Sequence, residues 1–291
     1  MARRNRDKNA REESKDRGCS CLNDCFESSA ISIHSNIVSV LSKSFVDCFL
    51  KCSECCKDIS YVSEFSRLAS KRLMEAYKCN DHVKQLLEET KKYVDNLEEA
   101  AKQVFSNVFR YEIKLMSRLT VHCSSHHLPL EISLAWDPVL NVPYIPSSSI
   151  RGVVRAFFEE NKVVVNSKNL AELFGDTEHS SDIVFFNVYP VRCEGENLVE
   201  ADVITPHYNE VTGRIDEARS SPTPLVFPVL APGTVLHVVI ALEKPLEKEL
   251  LSDFMENVGK ALESGLGAKT SVGYGRIRVI NVLSKDVVGK R

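Results

Sequence analysis

Gly265-Leu266-Gly267-Ala268-Lys269-Thr270-Ser271-Val272-Gly273-Tyr274-Gly275-Arg276 is the stretch on which the reading of this chain turns. Its four glycines, Gly265, Gly267, Gly273 and Gly275, free the backbone for positive φ and close approach to a ligand. Lys269, Thr270, Ser271 and Arg276 supply donors, so the expected ligand is a phosphate chain. A Walker loop or a dinucleotide fingerprint lies between a strand and a following helix. Here the order is reversed: Leu246, Leu250, Leu251, Phe254, Val258 and Leu262 recur at helical spacing before the loop, and Arg276 to Val282 reads as a strand after it. A mononucleotide cradle is therefore excluded.

Other segments agree with this loop. Tyr144-Ile145-Pro146-Ser147-Ser148-Ser149-Ile150-Arg151-Gly152-Val153-Val154-Arg155 leads into a helix with two arginines one turn apart. Downstream come Asp182 to Pro190 and Asp202-Val203-Ile204-Thr205-Pro206-His207-Tyr208. Taken in order from about residue 110 to 283, these segments resemble the RAMP superfamily, the repeat-associated proteins of CRISPR ribonucleoprotein complexes, and within it the sixth-subunit branch of the type III-B Cmr complex. Two departures stand out: Ser147 occupies a usual glycine position, and His122-Cys123-Ser124 replaces a glycine-rich stretch.

The resemblance implies a non-catalytic subunit that holds guide RNA, and target RNA paired with it, beside other Cmr-complex RAMP subunits. It further implies a place at the end of the subunit filament, near the 3′ side of the guide. Target choice would fall to base pairing, as in other RNA-guided complexes.

At 291 residues and 43% apolar content, the chain has room for one large domain or two modest ones. A net charge of −3 confines any RNA contact to a local groove. No apolar run approaches the ~20 residues of a membrane span and no signal-peptide pattern opens the chain, so a cytoplasmic location without membrane contact is expected. No cofactor motif is present. Eight of the ten cysteines lie in the first 79 residues. Cys48, Cys52 and Cys55 share a helical face, where cysteine acts as a small hydrophobe; the spacing suits a closed zinc site poorly, and disulfides remain open with no pairing fixed by the sequence.

Residues 1–17 read as a charged tail. Ile31 to Phe49 and Tyr61 to Tyr77 read as helices, within a helical N-terminal region spanning 18–109. After Asn80-Asp81, a candidate cap, Val83, Leu87, Thr90, Val94, Leu97, Ala101, Val104 and Val108 form a heptad seam. The period changes to two at Tyr111, Ile113, Leu115, Leu119 and Val121, opening a second domain at 110–291. Ile150, Val153, Val154, Phe157 and Phe158 mark a helix face. Strands follow at Ile183 to Val191 and Thr234 to Leu242, before the helix and last strand already described. The predicted class is α+β, with β-α-β-β-α-β order as in a ferredoxin-like, RRM-like sheet. A long polar insert, 192–224, separates the second and third strands; the resemblance implies an RNA-touching thumb there, which His207, Tyr208, Arg214 and Arg219 would suit.

Arg151, Arg155, Lys269 and Arg276 are the expected phosphate partners. Ser147, Ser148 and Ser149 offer hydroxyls and helix-terminal N–H groups to an anion, with Ser148 or Ser149 also suited to be the N-cap. Tyr274 could stack on a base. The RNA-recognition signature on a sheet strand is missing, so base readout by the sheet is not expected. The alternative reading is a RAMP-type endoribonuclease, with Asp137 orienting the attack and His122, His126 or His127 acting as acid or base.

Overall fold

The computed structural model describes residues 20–27, 31–52, 61–124, 128–165, 170–178, 180–205, 209–211, 214–216 and 224–286. His126, His127, His207, Tyr208 and Arg219 lie outside them, as does Cys55. The chain divides into two compact units: residues 1–76, 126–133 and 201–228 form one, and 77–125, 134–200 and 229–291 the other.

The first unit contains α1 (Ser20–Glu27), α2 (Ile37–Cys52) and α3 (Tyr61–Ala76). Asn36 accepts the Ser39 N–H at 3.0 Å, which explains why α2 starts at Ile37 and not at Ile31. Phe65 of α3 is the hub of the core, meeting Phe26 edge-on at 5.2 Å and Phe45 edge-on at 5.0 Å. The cysteines do more than fill space. Cys21 is bonded to Cys52 and Cys25 to Cys48, with Cα atoms 5.8 and 5.7 Å apart. The apolar-face reading of Cys48 and Cys52 is thereby corrected: their i, i+4 spacing matches the spacing of Cys21 and Cys25 on an antiparallel neighbour.

The second unit is built on an antiparallel sheet. Its strands are β1 (Asn107–Leu115), β4 (Ile183–Phe185), β5 (Tyr189–Cys193), β10 (Thr234–Leu242) and β11 (Ile277–Asp286). The order is β11-β1-β10-β4, with β5 also paired to β10. In β1, Phe109 and Tyr111 face α5 (Ser147–Glu160) and α7 (Lys248–Glu263): Phe109 meets Phe254 at 5.7 Å, and the Tyr111 hydroxyl donates to the Met255 carbonyl at 2.6 Å. Phe158 joins the two helices through Phe254 at 5.8 Å and reaches α6 (Leu170–Phe174) through Phe174 at 5.6 Å.

The other sheet face is covered by α4 (Asp81–Val104), capped by Asn80, which accepts the Val83 N–H at 3.1 Å. Val94 and Ala101 pack with Val108, Val239 and Ala241. Every residue of β10 is buried as a result. The expected seam drifts along this helix: Leu97 is only half-buried and Val104 is 76% exposed, while Glu98 is buried. A straight helix precesses against a seven-residue repeat, and Glu98 takes the inward place because Arg110 (2.9 Å) and Lys102 (2.6 Å) neutralise it. Val108, counted on the seam, belongs instead to β1.

Two further boundaries differ from expectation. The first strand ends at Leu115, and Leu119 pairs alone with Leu230. The run 183–191 is broken into β4 and β5 because Val188 bridges Ile145 on a different segment. Before α5, the short strands β2 (Trp136–Asp137) and β3 (Val142–Pro143) pair with each other. Between β5 and β10, β6 (Val199–Ile204) pairs with β9 (Leu225–Leu230), and β7 (Asn209–Val211) with β8 (Arg214–Asp216). A disulfide joins Cys79, just before α4, to Cys193 at the end of β5.

His237 of β10 lies beneath α4 with its Nδ1 atom meeting no partner among the described residues. Burial, and secondarily the Arg110 charge, push it down to about 4. The folded state thus holds His237 neutral where the unfolded chain, near 6.5, takes a proton. Its contribution to stability is complete above about pH 6.5 and is lost as pH falls toward 4, with a slope approaching about 1.4 kcal/mol per pH unit. Urea midpoints measured from about pH 7 to 4 should show this slope, and His237→Phe should flatten it.

Candidate nucleic-acid interface

The glycine loop starts where α7 stops. Gly265 turns the chain out of the helix, and Leu266 is fully buried while its N–H donates to the Gly275 carbonyl at 3.0 Å. Four more bonds stitch the loop to residues 116–120: Ala268 N–H to Thr120 O (2.9 Å), Gly275 N–H to Arg118 O (2.7 Å), Met116 N–H to Arg276 O (2.8 Å) and Arg276 N–H to Ser117 Oγ (2.9 Å). A Cβ on Gly275 would sit 1.8 Å from the Leu266 carbonyl oxygen, and one on Gly267 2.3 Å from that of Thr120. At Gly267 and Gly275, therefore, close approach of the chain to itself is what requires glycine.

What the scaffold displays is a crest. Lys269 adopts left-handed φ of 64°, and Thr270–Val272 form a single 3₁₀ turn closed by Gly273. The Lys269 carbonyl accepts from the Val272 (3.1 Å) and Tyr274 (3.2 Å) amides. Lys269, Thr270, Ser271 and Arg276 are exposed. The Lys269 ammonium lies 5.4 Å from the centre of the half-buried Tyr274 ring, so the ring acts as its prop. Such a crest presents a cation and hydroxyls in fixed relation, suited to phosphate oxygens.

The second set of predicted residues lies at the start of α5. Pro146 is the N-cap and offers no side-chain acceptor, which corrects the assignment of that role to Ser148 or Ser149. Asn187, between β4 and β5, takes it over by accepting the Ser147 N–H at 2.9 Å. Ser148 and Arg155 are exposed. Arg151 is engaged: its guanidinium donates to the Phe174 carbonyl at the end of α6, where a cation also complements the helix terminus. The structure brings Ser147, Ser148, Ser149, Arg151 and Arg155 together on one helix, and Lys269 to Arg276 in one loop. The first set is tied to the β4–β5 edge of the sheet, and the second runs into β11 at the opposite edge.

Asp137 has a structural occupation. Its Oδ1 accepts the Val139 and Leu140 amides at 2.8 and 2.9 Å, closing the β2–β3 turn, and its Oδ2 accepts the Tyr189 hydroxyl at 2.8 Å. Both oxygens are engaged by the fold. His122 is exposed, at left-handed φ of 58°. Among the described residues no three His, Cys, Asp or Glu side chains are grouped to hold a metal ion, and no helix is long and apolar enough to cross a membrane.

Comparison with known proteins gives this geometry a family. The RAMP superfamily model matches residues 127–278, from before β2 to the start of β11, and so takes in both predicted sets. The chain belongs to the RAMP superfamily. Within that superfamily it is similar to the CRISPR system CMR subunit Cmr6 of Saccharolobus solfataricus, 32% identical over 189 residues, covering 64% of this chain and 63% of the relative. It is also similar to the CRISPR system Cmr subunit Cmr6 of Pyrococcus furiosus, 28% identical over 130 residues, covering 41% of this chain and 37% of that one. The matched region thus spans less than two thirds of either relative's length. A chain in a cryo-EM structure of the type III-B Cmr-beta bound to cognate target RNA has the same fold, with a TM-score of 0.70 and 23% identity over 88% of this chain and 94% of that one.

The sequence did not single out Asn187, Tyr189 or Ser117, which hold the predicted residues in place. Asn187 interrupts an apolar run inside a predicted strand, and that was the available signal.

Proposed function

We propose that this chain is a non-catalytic, RNA-holding subunit of a type III-B CRISPR effector, acting in the cytoplasm beside other RAMP subunits and gripping guide RNA with its paired target. The observation that carries the reading is the exposed Lys269-Thr270-Ser271 crest, rigidly stitched to residues 116–120, in a chain similar to Cmr6 proteins. Contact is through phosphates and shape. On the sheet face that an RNA-recognition motif would use, the β5 and β10 side is packed under α4, which withdraws it as a platform for stacked bases. We read the sheet as ferredoxin-like, β4 and β5 together forming its second strand, and the 192–224 segment as a thumb toward RNA, with His207 on it. The engagement of Asp137 by its own turn and by Tyr189 speaks against the nuclease alternative.

Lys269→Ala and Arg276→Ala should each weaken binding of a mixed-sequence single-stranded RNA. Each should also flatten the plot of log affinity against log salt by about one unit. A slope unchanged in both variants would remove the crest from the interface. Purification from a native host should recover discrete short RNAs with the chain; recovery without RNA would overturn the reading.

A further inference from the structure

We infer that RNA leaves the Lys269 crest along β11, its sugar–phosphate backbone lying on Arg276, Arg278 and Asn281 over the part of the sheet that α4 leaves open; this path rests on the RNA-holding reading above.

The row follows from the pairing register. In β1, the half-buried Glu112 and Lys114 alternate with the buried Ile113 and Leu115, so they stand on the sheet face opposite to α5 and α7. Cross-strand partners share a face. Arg278 lies opposite Lys114, and Asn281 lies opposite Glu112. Three positions separate these two neighbours because the ladder carries a bulge, with Ile280 as the extra residue. An unbroken register would put Ile280 across from Glu112; the bulge puts an amide there instead. Arg276 extends the row back to the glycine loop: it is exposed, as Arg278 is, and Ile277 between them is buried. The apolar cluster beneath α4 contains Val108, Tyr189, Val239 and Ala241 but no residue of β11. Arg278 and Asn281 are accordingly exposed, and so is Leu283 beyond them.

The charge of the row is uncompensated. Around it, Lys114 pairs with Glu194 at 2.6 Å, Arg192 with Glu112 at 2.9 Å and with Glu194 at 3.0 Å, and Arg118 with Glu200 at 2.9 Å. Glu263 of α7 accepts the Val279 N–H at 2.9 Å, on the other face of the sheet. Arg110 and Arg151 are likewise engaged. The guanidinium groups of Arg276 and Arg278, by contrast, form no ion pair or hydrogen bond among the described residues. Two free cations therefore stand about 6.8 Å apart along an extended strand, in a chain whose net charge is −3. That separation is close to the step between successive phosphates of an extended single strand. Asn281 adds two N–H donors and a carbonyl acceptor, which suit a phosphate or a ribose hydroxyl. The row holds no aromatic side chain, so it follows the backbone of any sequence and stacks no base.

The test uses the full chain, the same mixed-sequence single-stranded RNA, and the slope of log affinity against log salt. Arg278→Ala should flatten that slope by about one unit, as Lys269→Ala does at the crest. Asn281→Lys should steepen it by a similar amount, whereas Ser252→Lys, exposed on α7 across the sheet, should leave it unchanged. A native slope in Arg278→Ala beside a flattened one in Lys269→Ala overturns the path and leaves the crest standing. A slope for Asn281→Lys equal to that of Ser252→Lys overturns it as well, since the strand would then part from β11 at the arginines. Native slopes in Lys269→Ala, Arg276→Ala and Arg278→Ala together mean that the RNA reading itself has failed, and the path with it.

Discussion

Gly275→Ala should destabilise the second unit by about 3 kcal/mol and abolish RNA binding through the loop. The added Cβ would lie 1.8 Å from the carbonyl oxygen of Leu266, whose N–H closes the loop by donating to the Gly275 carbonyl; the obstacle is backbone, so no side chain can swing aside. A φ of 64° adds strain of its own. Overpacking against fixed backbone costs about 1–3 kcal/mol and left-handed strain about 1–2 kcal/mol. Gly273→Ala is the matched control: it shares positive φ, 96°, but its Cβ would meet nothing within 4 Å. It should cost only about 1 kcal/mol and leave RNA affinity nearly intact. Urea unfolding of the two variants makes the comparison; equal losses would mean that backbone strain, not close packing, sets the need for glycine.

Loss of the Cys79–Cys193 disulfide should cost about 4 kcal/mol. The bond closes a loop across 114 residues, and the entropy it removes from the unfolded chain grows with the logarithm of loop length. Local bonding limits how far the native state relaxes when the bond is cut: the Cys79 N–H donates to Glu196 O at 2.8 Å, and the Leu198 N–H to Tyr77 O at 2.8 Å. The fold should therefore survive Cys79→Ser with a lower urea midpoint. A midpoint unmoved by that substitution would show that Cys79 and Cys193 are not joined in solution, which peptide mapping without reductant would report independently.

The periodicities were enough to read α3, α7, the loop between α7 and β11, and the alternation of β1, because each follows from one local spacing. Features set by distant partners were not legible. Glu98 enters the α4 seam with Arg110 as well as Lys102 against it, and a helical wheel contains Lys102 but not Arg110. The apolar run from Ile183 to Val191 could not show that Val188 would leave the sheet to pair with Ile145. At the interface, the exposed donors were readable from residue type. Two meanings were not: Gly267 and Gly275 serve self-packing, against Thr120 and Leu266, and Arg151 is drawn to a carbonyl on α6. From its place in the chain Asp137 reads as a catalyst, whereas it is held by the amides of its own turn and by Tyr189, on a strand 52 residues away.

The paired cysteines of α1 and α2 have a consequence for how the hairpin is assembled. Cys21 faces Cys52 and Cys25 faces Cys48, so each helix carries its thiols one turn apart, about 6 Å along the axis. A first bond formed wrongly, Cys21 to Cys48 for instance, would slide one helix along the other by that turn and leave the remaining two thiols about 12 Å apart along the axis, beyond the reach of a disulfide. Only the native alignment allows both bonds to close. The second oxidation therefore proofreads the first, and a chain in which Cys21 is joined to Cys52 and Cys25 to Cys48 has, by that fact, the correct helix register.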